Sequence, residues 1–396
     1  MNRRGLHDVI VVGAGAVGGA LALALARDGF DVAVVEAREP RAWRAEDDVD
    51  LRVVALAPDA RALLDDIGAW GAIADARIGP YRRMHVCDAL APGRLDFDAA
   101  ERGEAALGWI VENKLIQHAL WKALATSGAR IACPAEVADI EQGEDAVAAT
   151  LADGTRLRAR VLVAAEGGQS SVRERLGIGF AGRDYGQRAV VAHVRTERPH
   201  EGAAWQRFLP GGPLAFLPLA DGRCSIVWSL PDAEAARVLE LDDATFRAEL
   251  GCAFDFRLGT ILETTARAAF PLRLRFADAY VRGRCALAGD SAHLVHPLAG
   301  QGMNLGLRDA MCLRRVLGEA RARGRGRDLG AAHVLRRYER ERRSENTIAA
   351  RGFDMIDRVY SSDAMPLALL RGAALAVAGR VGPIRRMLAD VAAGRA

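Results

Sequence analysis

The 396-residue chain has only two lysines, Lys114 and Lys122, so arginine supplies nearly all of its 54 basic residues, against 51 acidic ones. A net charge of +3 gives no large field of one sign, which excludes a chain built to hold nucleic acid or an anionic membrane over its whole surface. The six cysteines (Cys87, Cys133, Cys224, Cys252, Cys285 and Cys312) are scattered, with no Cys-x-x-Cys pair and no histidine at zinc-finger spacing. That excludes a disulfide framework and a structural zinc site, and fits a reducing, cytoplasmic setting. Internal repeats and low-complexity linkers are also missing. What is present, 51% hydrophobic and 27% charged residues, is the composition of an ordinary globular protein, long enough for two or three domains.

One uncharged run stands out, Val9 to Ala26 behind Arg3 and Arg4. Its internal pattern argues against a signal peptide or a membrane span. Val9 to Val12 is a short strand-type run; Gly13, Gly15 and Gly18 then spell G-x-G-x-x-G, and Gly19 to Ala26 forms helix. After Asp28-Gly29 a second strand, Val32 to Val35, ends in Glu36, 18 residues beyond Gly18. Strand, glycine turn, helix and acid within about 30 residues form the dinucleotide-binding fingerprint. Gly13 permits the tight turn, Gly15 lets backbone N–H groups approach a pyrophosphate, and Gly18 lets the helix pack on the strand, with the helix dipole facing the phosphates. Glu36 accepts from both ribose hydroxyls and disfavours a 2′-phosphate, which selects an ADP-ribose of the FAD or NAD type.

A second segment separates those two. Cys285 to Ala288 reads as a strand, followed by Gly289-Asp290, His293 and the run His296-Pro297-Leu298-Ala299-Gly300-Gln301-Gly302-Met303-Asn304-Leu305-Gly306-Leu307-Arg308-Asp309. Asp290 at a strand end suits a ribityl chain. Gly300 to Asn304 opens a helix whose free N–H groups and positive dipole end suit the pyrimidine edge of an isoalloxazine, where negative charge gathers on reduction.

This segment resembles the signature of the ubiquinone-biosynthesis aromatic-ring hydroxylases, FAD-dependent monooxygenases of the p-hydroxybenzoate hydroxylase type. The resemblance runs nearly end to end, through the glycine fingerprint, Arg52-Val53-Val54-Ala55-Leu56, Gly212-Pro213-Leu214-Ala215-Phe216-Leu217-Pro218-Leu219 and Arg343-Ser344-Glu345-Asn346. It implies flavin contacts at Arg52, Asn113, Asp290, Pro297 and Gly300, with capping as the alternative role for Asn113. It also implies that the backbone N–H groups of Gly302, Met303 and Asn304 stabilise charge on the flavin. One departure is visible: the family's Ala-Asp-Gly motif appears as Ala165-Glu166-Gly167, so the acid thought to bridge FAD and the nicotinamide is one methylene longer. Arg173, at the end of that motif, is a candidate for the pyrophosphate or nicotinamide side, with a surface arginine as the alternative.

The implied fold is α/β (α+β overall): a Rossmann-like FAD-binding domain (1–75, 101–178 and 276–335), an inserted antiparallel-sheet substrate domain (76–100 and 179–275) and a helical C-terminal segment (336–396). Alternating runs at Arg156 to Leu162, Val190 to Arg195 and Ala215 to Leu219, with a turn at Asp221-Gly222 before Ser225 to Ser229, read as antiparallel sheet. Its apolar residues Leu214, Phe216, Leu217, Ile226 and Trp228 are expected to line a pocket for a large, greasy phenol, with core packing as the alternative for any one of them. Tyr185 is a candidate to orient the phenol or, alternatively, a packed tyrosine.

The implied reaction is external monooxygenation: NAD(P)H reduces FAD, O2 adds at flavin C4a, and the hydroperoxide passes an electrophilic oxygen to the ring of a prenylated phenol or quinol. Another aromatic substrate, or a flavin-binding accessory role in the biosynthetic assembly, remains an alternative. A halogenase is excluded by the missing active-site lysine and Trp-x-Trp-x-Ile-Pro stretch. Asp290, His293 and His296 imitate metal ligands but are explained as a flavin-contacting segment, so no metal is expected. The alternating charges of Arg336 to Arg343 read as a solvated helix with internal ion pairs rather than a nucleic-acid surface. Met365 to Val391 is amphipathic and basic, which leaves open contact with the inner membrane surface, docking on the protein body, an assembly partner or a homo-oligomer.

Overall fold

In the computed structural model, residues 5–90, 94–295, 301–324 and 328–360 are described. The glycine fingerprint folds as its pattern predicts: strand Leu6–Val12, helix Ala16–Arg27, strand Val32–Val35. Val9 to Val12 and Val32 to Val35 are all under 5% exposed. Unbroken apolar runs suit strands covered on both faces. The two strands pair in parallel, Val9 with Val32, and the sheet continues outward through Arg130–Ala132 on one side.

On the other side Leu6–Val12 pairs in parallel with Arg156–Ala164. That strand corrects one expectation. Its alternation holds only in the first half, where Leu157 and Ala159 are buried between exposed Arg156 and Arg158 and the partner is the antiparallel strand Val147–Leu151. From Val161 to Ala164 it is buried on both faces and belongs to the parallel sheet beside Cys285–Leu287. The helix Ala16–Arg27 covers this sheet together with Asn113–Ala125 and Gln301–Ala322. The fit between the first and last is close because Gly306 has no Cβ: one built there would stand 2.6 Å from Val17 Cγ2.

A nine-stranded sheet forms the second layer system. Its antiparallel centre is Phe180–Thr196, Cys224–Pro231, Gly212–Pro218 and Ala203–Leu209. Arg83–Asp88 and Arg94–Asp98 extend one edge, and Ala268–Ala277 and His293–Leu294 the other. Its alternate faces bury against different things. Leu214, Phe216, Ile226 and Trp228 join Val190, Ala192 and Val194 in a core beneath the helices Asp232–Glu240 and Asp243–Ala253, with Phe216 stacked on Phe254 at 3.8 Å between ring centroids. Leu217 and Leu219 face the other way, toward Val49, Ala55 and Ile110. A three-stranded sheet of Val53–Leu56, Gly108–Glu112 and Ile78–Tyr81 stands on that side.

The long helix Ala332–Tyr360 is not simply solvated. Leu335, Tyr338, Arg342 and Asn346 are buried, and the Tyr338 hydroxyl donates to the Leu287 carbonyl at 2.6 Å. Its charges pair mainly across elements rather than along the helix: Arg315 with Glu341, Arg337 with Glu319 and Arg342 with Asp309. The amphipathic stretch Met365 to Val391 lies outside the described residues.

Candidate flavin site

The fingerprint residues meet where the parallel strands end. The Gly13 N–H donates to Val35 O at 2.8 Å and the Ala165 N–H to Val12 O at 2.7 Å, so three neighbouring strand ends are tied together. Gly13 sits at φ +97, and a Cβ there would be 2.5 Å from Ala165 O; at Gly18 it would be 1.9 Å from Gly13 O. These two glycines are demanded by the chain itself. At Gly15 a Cβ would meet nothing within 4 Å, so the chain itself does not demand this glycine, which stands at the N-terminus of a twelve-residue helix.

Glu36 stands beside that turn. Its backbone is clamped by Ala132 O and the Ala135 N–H, and its carboxylate accepts from the backbone N–H groups of Ala14 and Arg38. Asp290 follows the Cys285–Leu287 strand in a turn that starts at Gly289, φ +60 against Val17. Burial pushes the Asp290 carboxyl up from its ordinary value, with His293 and Arg52 pulling the other way. Asp290 is only partly buried, and among the described residues no hydrogen bond reaches its carboxyl, which leaves it open to a donor from outside.

The first turn of Gln301–Ala322 brings Gly302, Met303 and Asn304 together. The Asn304 side chain does separate work. It accepts from the Ala57 N–H at 3.0 Å and donates to Ala55 O at 2.9 Å, both buried, so it clips this helix start onto the Arg52–Leu56 segment. Pro297, Gly300 and His296 lie outside the described residues.

Other expected positions have more local roles. Asn113 is the first helical residue rather than the cap; its N–H donates to Arg52 O at 2.9 Å. Glu166 folds its carboxylate over the short helix Ser171–Arg175, accepting from the Ser170 hydroxyl at 2.6 Å, the Ser171 hydroxyl at 2.9 Å and the Val172 N–H at 3.1 Å. The carboxylate thus braces the start of a helix whose cap is Ser170. Arg173 is buried, with Phe180 under its guanidinium and the carbonyls of Gly168 and Ser291 as acceptors. Tyr185 lies under the Arg183 guanidinium, 4.4 Å from carbon to ring centroid.

The pocket-lining expectation needs correction. Leu214, Phe216, Ile226 and Trp228 point away from the flavin side into the core under the two helices, and only Leu217 faces it. Both faces of this sheet are apolar, so composition did not reveal which was the lining. On the side of the three-stranded sheet, Val49, Val53, Ile78, Ile110 and Leu219 enclose a small gap of about 10 Å³, with Arg77 and Glu112 at its polar end.

Three residues that the motifs did not single out organise the surroundings. Glu112, 3% exposed, accepts from Asp50 N–H at 2.7 Å, Arg77 Nε at 2.9 Å and Trp43 Nε1 at 3.1 Å, pinning the segment before Arg52. Asp309 accepts from His293 Nε2 at 2.6 Å, Arg342 Nε at 2.8 Å, Gly289 N–H at 2.9 Å and Asn346 Nδ2 at 3.2 Å. His293 is therefore engaged by a carboxylate, and no cluster of three metal-ligating side chains occurs among the described residues. His193, the third, bonds Asp50 O through Nε2 at 3.1 Å. A buried charge at the end of an apolar run was the available signal for Glu112, and Asp309 closes the signature run; His193 gave none.

A glycine turn on a helix N-terminus, an acid at the end of the second strand, a partly exposed aspartate and a second helix start suit a long dinucleotide, with a phosphate, two sugar-like chains and an electron-accepting ring. The comparisons with known proteins agree. A model of the FAD binding domain matches residues 7–351. The chain is 37% identical to 3-demethoxyubiquinol 3-hydroxylase of Escherichia coli (strain K12) over 388 residues, covering 98% of each. It is 39% identical to ubiquinone hydroxylase UbiL of Rhodospirillum rubrum, covering 98% of this chain and 89% of that one. Human mitochondrial ubiquinone biosynthesis monooxygenase COQ6 is 34% identical, with 97% and 92% covered. Among solved structures, p-nitrophenol 4-monooxygenase PnpA of Pseudomonas putida superposes with a TM-score of 0.76 at 22% identity over 98% of both chains, a likeness of fold. No helix among the described residues is long and apolar enough to cross a membrane. With its FAD cradle built at the strand ends and its likeness extending over nearly the whole length, the chain belongs to the FAD-dependent aromatic-ring hydroxylases of ubiquinone biosynthesis.

Proposed function

We propose that this protein hydroxylates the ring of a polyprenylated phenol or quinol in ubiquinone biosynthesis, with NAD(P)H as electron donor. The observation that carries the proposal is the near-complete coverage by relatives named ubiquinone hydroxylases. Bound FAD, once reduced, supplies activation of O2 and delivery of one oxygen atom to the ring. The chain's own residues hold and shape that chemistry. Gly13, Gly15 and Gly18 admit the pyrophosphate to the helix N-terminus, Glu36 takes the adenosine ribose, and Asp290 takes the ribityl chain with Arg52 and Asn113 alongside. Glu166 acts at one remove, by bracing the helix start that orders its loop. The N–H groups of Gly302, Met303 and Asn304, with Pro297 and Gly300 leading into them, offset negative charge on the flavin. The apolar side chains between the three-stranded and nine-stranded sheets shield the reacting ring from water.

A prenylated substrate resides in lipid, which supports a cytoplasmic protein working at the inner membrane surface, alone, as a homo-oligomer or with assembly partners. Cosedimentation with anionic vesicles before and after removal of residues 361–396 tests the membrane contact. The function itself is tested by deleting the gene from its own host and examining lipid extracts by mass spectrometry. Accumulation of a prenylphenol lacking one ring oxygen is expected; unchanged quinone with no such intermediate overturns the reading. Substrate-stimulated NAD(P)H oxidation by the purified FAD-loaded protein separates an enzyme from an accessory subunit.

A further inference from the structure

The side of the nine-stranded sheet that faces the three-stranded sheet is largely apolar, but one cross-strand row breaks the pattern. His193 and Ser225 are register partners on neighbouring antiparallel strands, and Leu217 stands opposite Ser225 on the next strand. Directly opposed side chains share a face, with Cβ atoms about 5 Å apart. Contacts identify the face. His193 Nε2 reaches Asp50 O, and Leu217 packs beside Val49, Ala55 and Ile110. The alternate residues Ala192, Val194, Ile226 and Phe216 point into the helix-covered core. Val49, at the edge of the gap, is the chain neighbour of Asp50.

His193 and Ser225 are each 1% exposed, and each carries an unpartnered polar atom: Nδ1 of the histidine and Oγ of the serine. The Asp50 carbonyl has only lone pairs to offer, so Nε2 holds the ring proton. Burial pushes the His193 pKa down, which leaves a neutral ring with Nδ1 as a bare acceptor. The Ser225 hydroxyl is an unused donor. Charged neighbours do not satisfy either atom. Arg223 is held between Asp48 at 2.6 Å and Asp221 at 2.7 Å, and Thr265 Oγ1 takes the His193 backbone N–H instead. A bare acceptor next to an unused donor is the complement of one hydroxyl group, which donates once and accepts once.

Building on the hydroxylase reading, we propose that His193 Nδ1 and Ser225 Oγ together anchor the ring hydroxyl of the phenol or quinol substrate. His193 accepts its hydrogen and Ser225 donates to its oxygen. The pair fixes which edge of the ring meets the sheet, and it selects free phenols over aryl ethers, which have no hydrogen to give.

The test uses the full-length FAD-loaded protein titrated with 2-prenylphenol and with its methyl ether, 2-prenylanisole, followed by perturbation of the flavin absorption band. The wild type is expected to bind the phenol about tenfold more tightly than the ether. Ser225→Ala removes the donor. His193→Gln keeps an amide donor for Asp50 but removes the Nδ1 acceptor. Each is expected to bring the phenol within about twofold of the ether, with FAD content and ether affinity unchanged. His193→Asn, which places an acceptor near Nδ1, retains the preference. Equal weakening of phenol and ether assigns the pair to packing, and a preference that survives both substitutions assigns it to a trapped water; either overturns the anchor while leaving the hydroxylase reading in place. A wild-type protein that binds FAD but neither compound overturns both.

Discussion

Asp309 and Arg342 form a buried ion pair whose removal tests how the C-terminal helix is held to the flavin site. The arginine is 3% exposed and the aspartate 0%. Replacing Asp309 with Leu leaves the Arg342 guanidinium with Asn346 Oδ1 at 2.8 Å and Glu345 as its remaining side-chain partners. Breaking one side of a buried pair costs about 3–5 kcal/mol. Gly289 N–H and His293 Nε2 lose their acceptor as well, at about 1 kcal/mol each. Because neighbouring losses overlap, we expect a total of about 4 kcal/mol. Arg342→Met alone is expected to cost about 3 kcal/mol, since Asp309 keeps three donors. The double variant leaves no unpaired charge, so it should be less damaged than the sum of the singles by about 3 kcal/mol. Urea unfolding of the FAD-free proteins, followed by tryptophan fluorescence, measures all four corners of the cycle. Single losses that add within about 0.5 kcal/mol would refute the coupling. A pH series supplies the sign. Burial pushes the Asp309 carboxyl up, but His293 and Arg342 outweigh it and hold it below its ordinary value of 3.8. Its contribution is therefore fully present above that value and is lost as pH falls through the lower native one. The acid limb of the wild-type stability curve should be steeper than that of Asp309→Leu.

Gly15→Ala should leave apoprotein stability unchanged, because its Cβ meets nothing, while weakening FAD binding. Gly18→Ala should damage both, because its Cβ would fall 1.9 Å from Gly13 O; thermal melts with and without FAD distinguish the two. Asp290 is held above its ordinary value by burial, so ionising it costs stability as pH rises through that range. Asp290→Asn is expected to raise the apoprotein's unfolding midpoint at neutral pH and to lower FAD affinity; a fall in both would refute the assignment. Asn304→Ala removes two buried backbone contacts, for an expected loss of about 1–3 kcal/mol, accompanied by weaker flavin retention on gel filtration.

Whatever depends on neighbours in sequence was legible before folding. The spacing of Gly13, Gly15 and Gly18 between a strand and a helix, the acid at Glu36 and the strand, turn and helix around Asp290 and Gly302 follow from local sterics and periodicity, and the structure forms each of these elements. What alternation could not convey is which side of a doubly buried sheet faces which layer. Leu214 to Leu217 is apolar at successive positions because helices cover one face and the flavin side the other, so the run carries no mark of direction. The charges of Arg336 to Arg343 misled for a related reason. Ion pairing along a helix and ion pairing to a neighbouring helix produce the same alternating signs, and only the packing against Gln301–Ala322 decides between them. The unpaired atoms of His193 and Ser225 belong to the same class of fact. They are set 32 residues apart in sequence and meet only in the register of two antiparallel strands, because the hydrogen-bond ladder, not local propensity, chooses the partner.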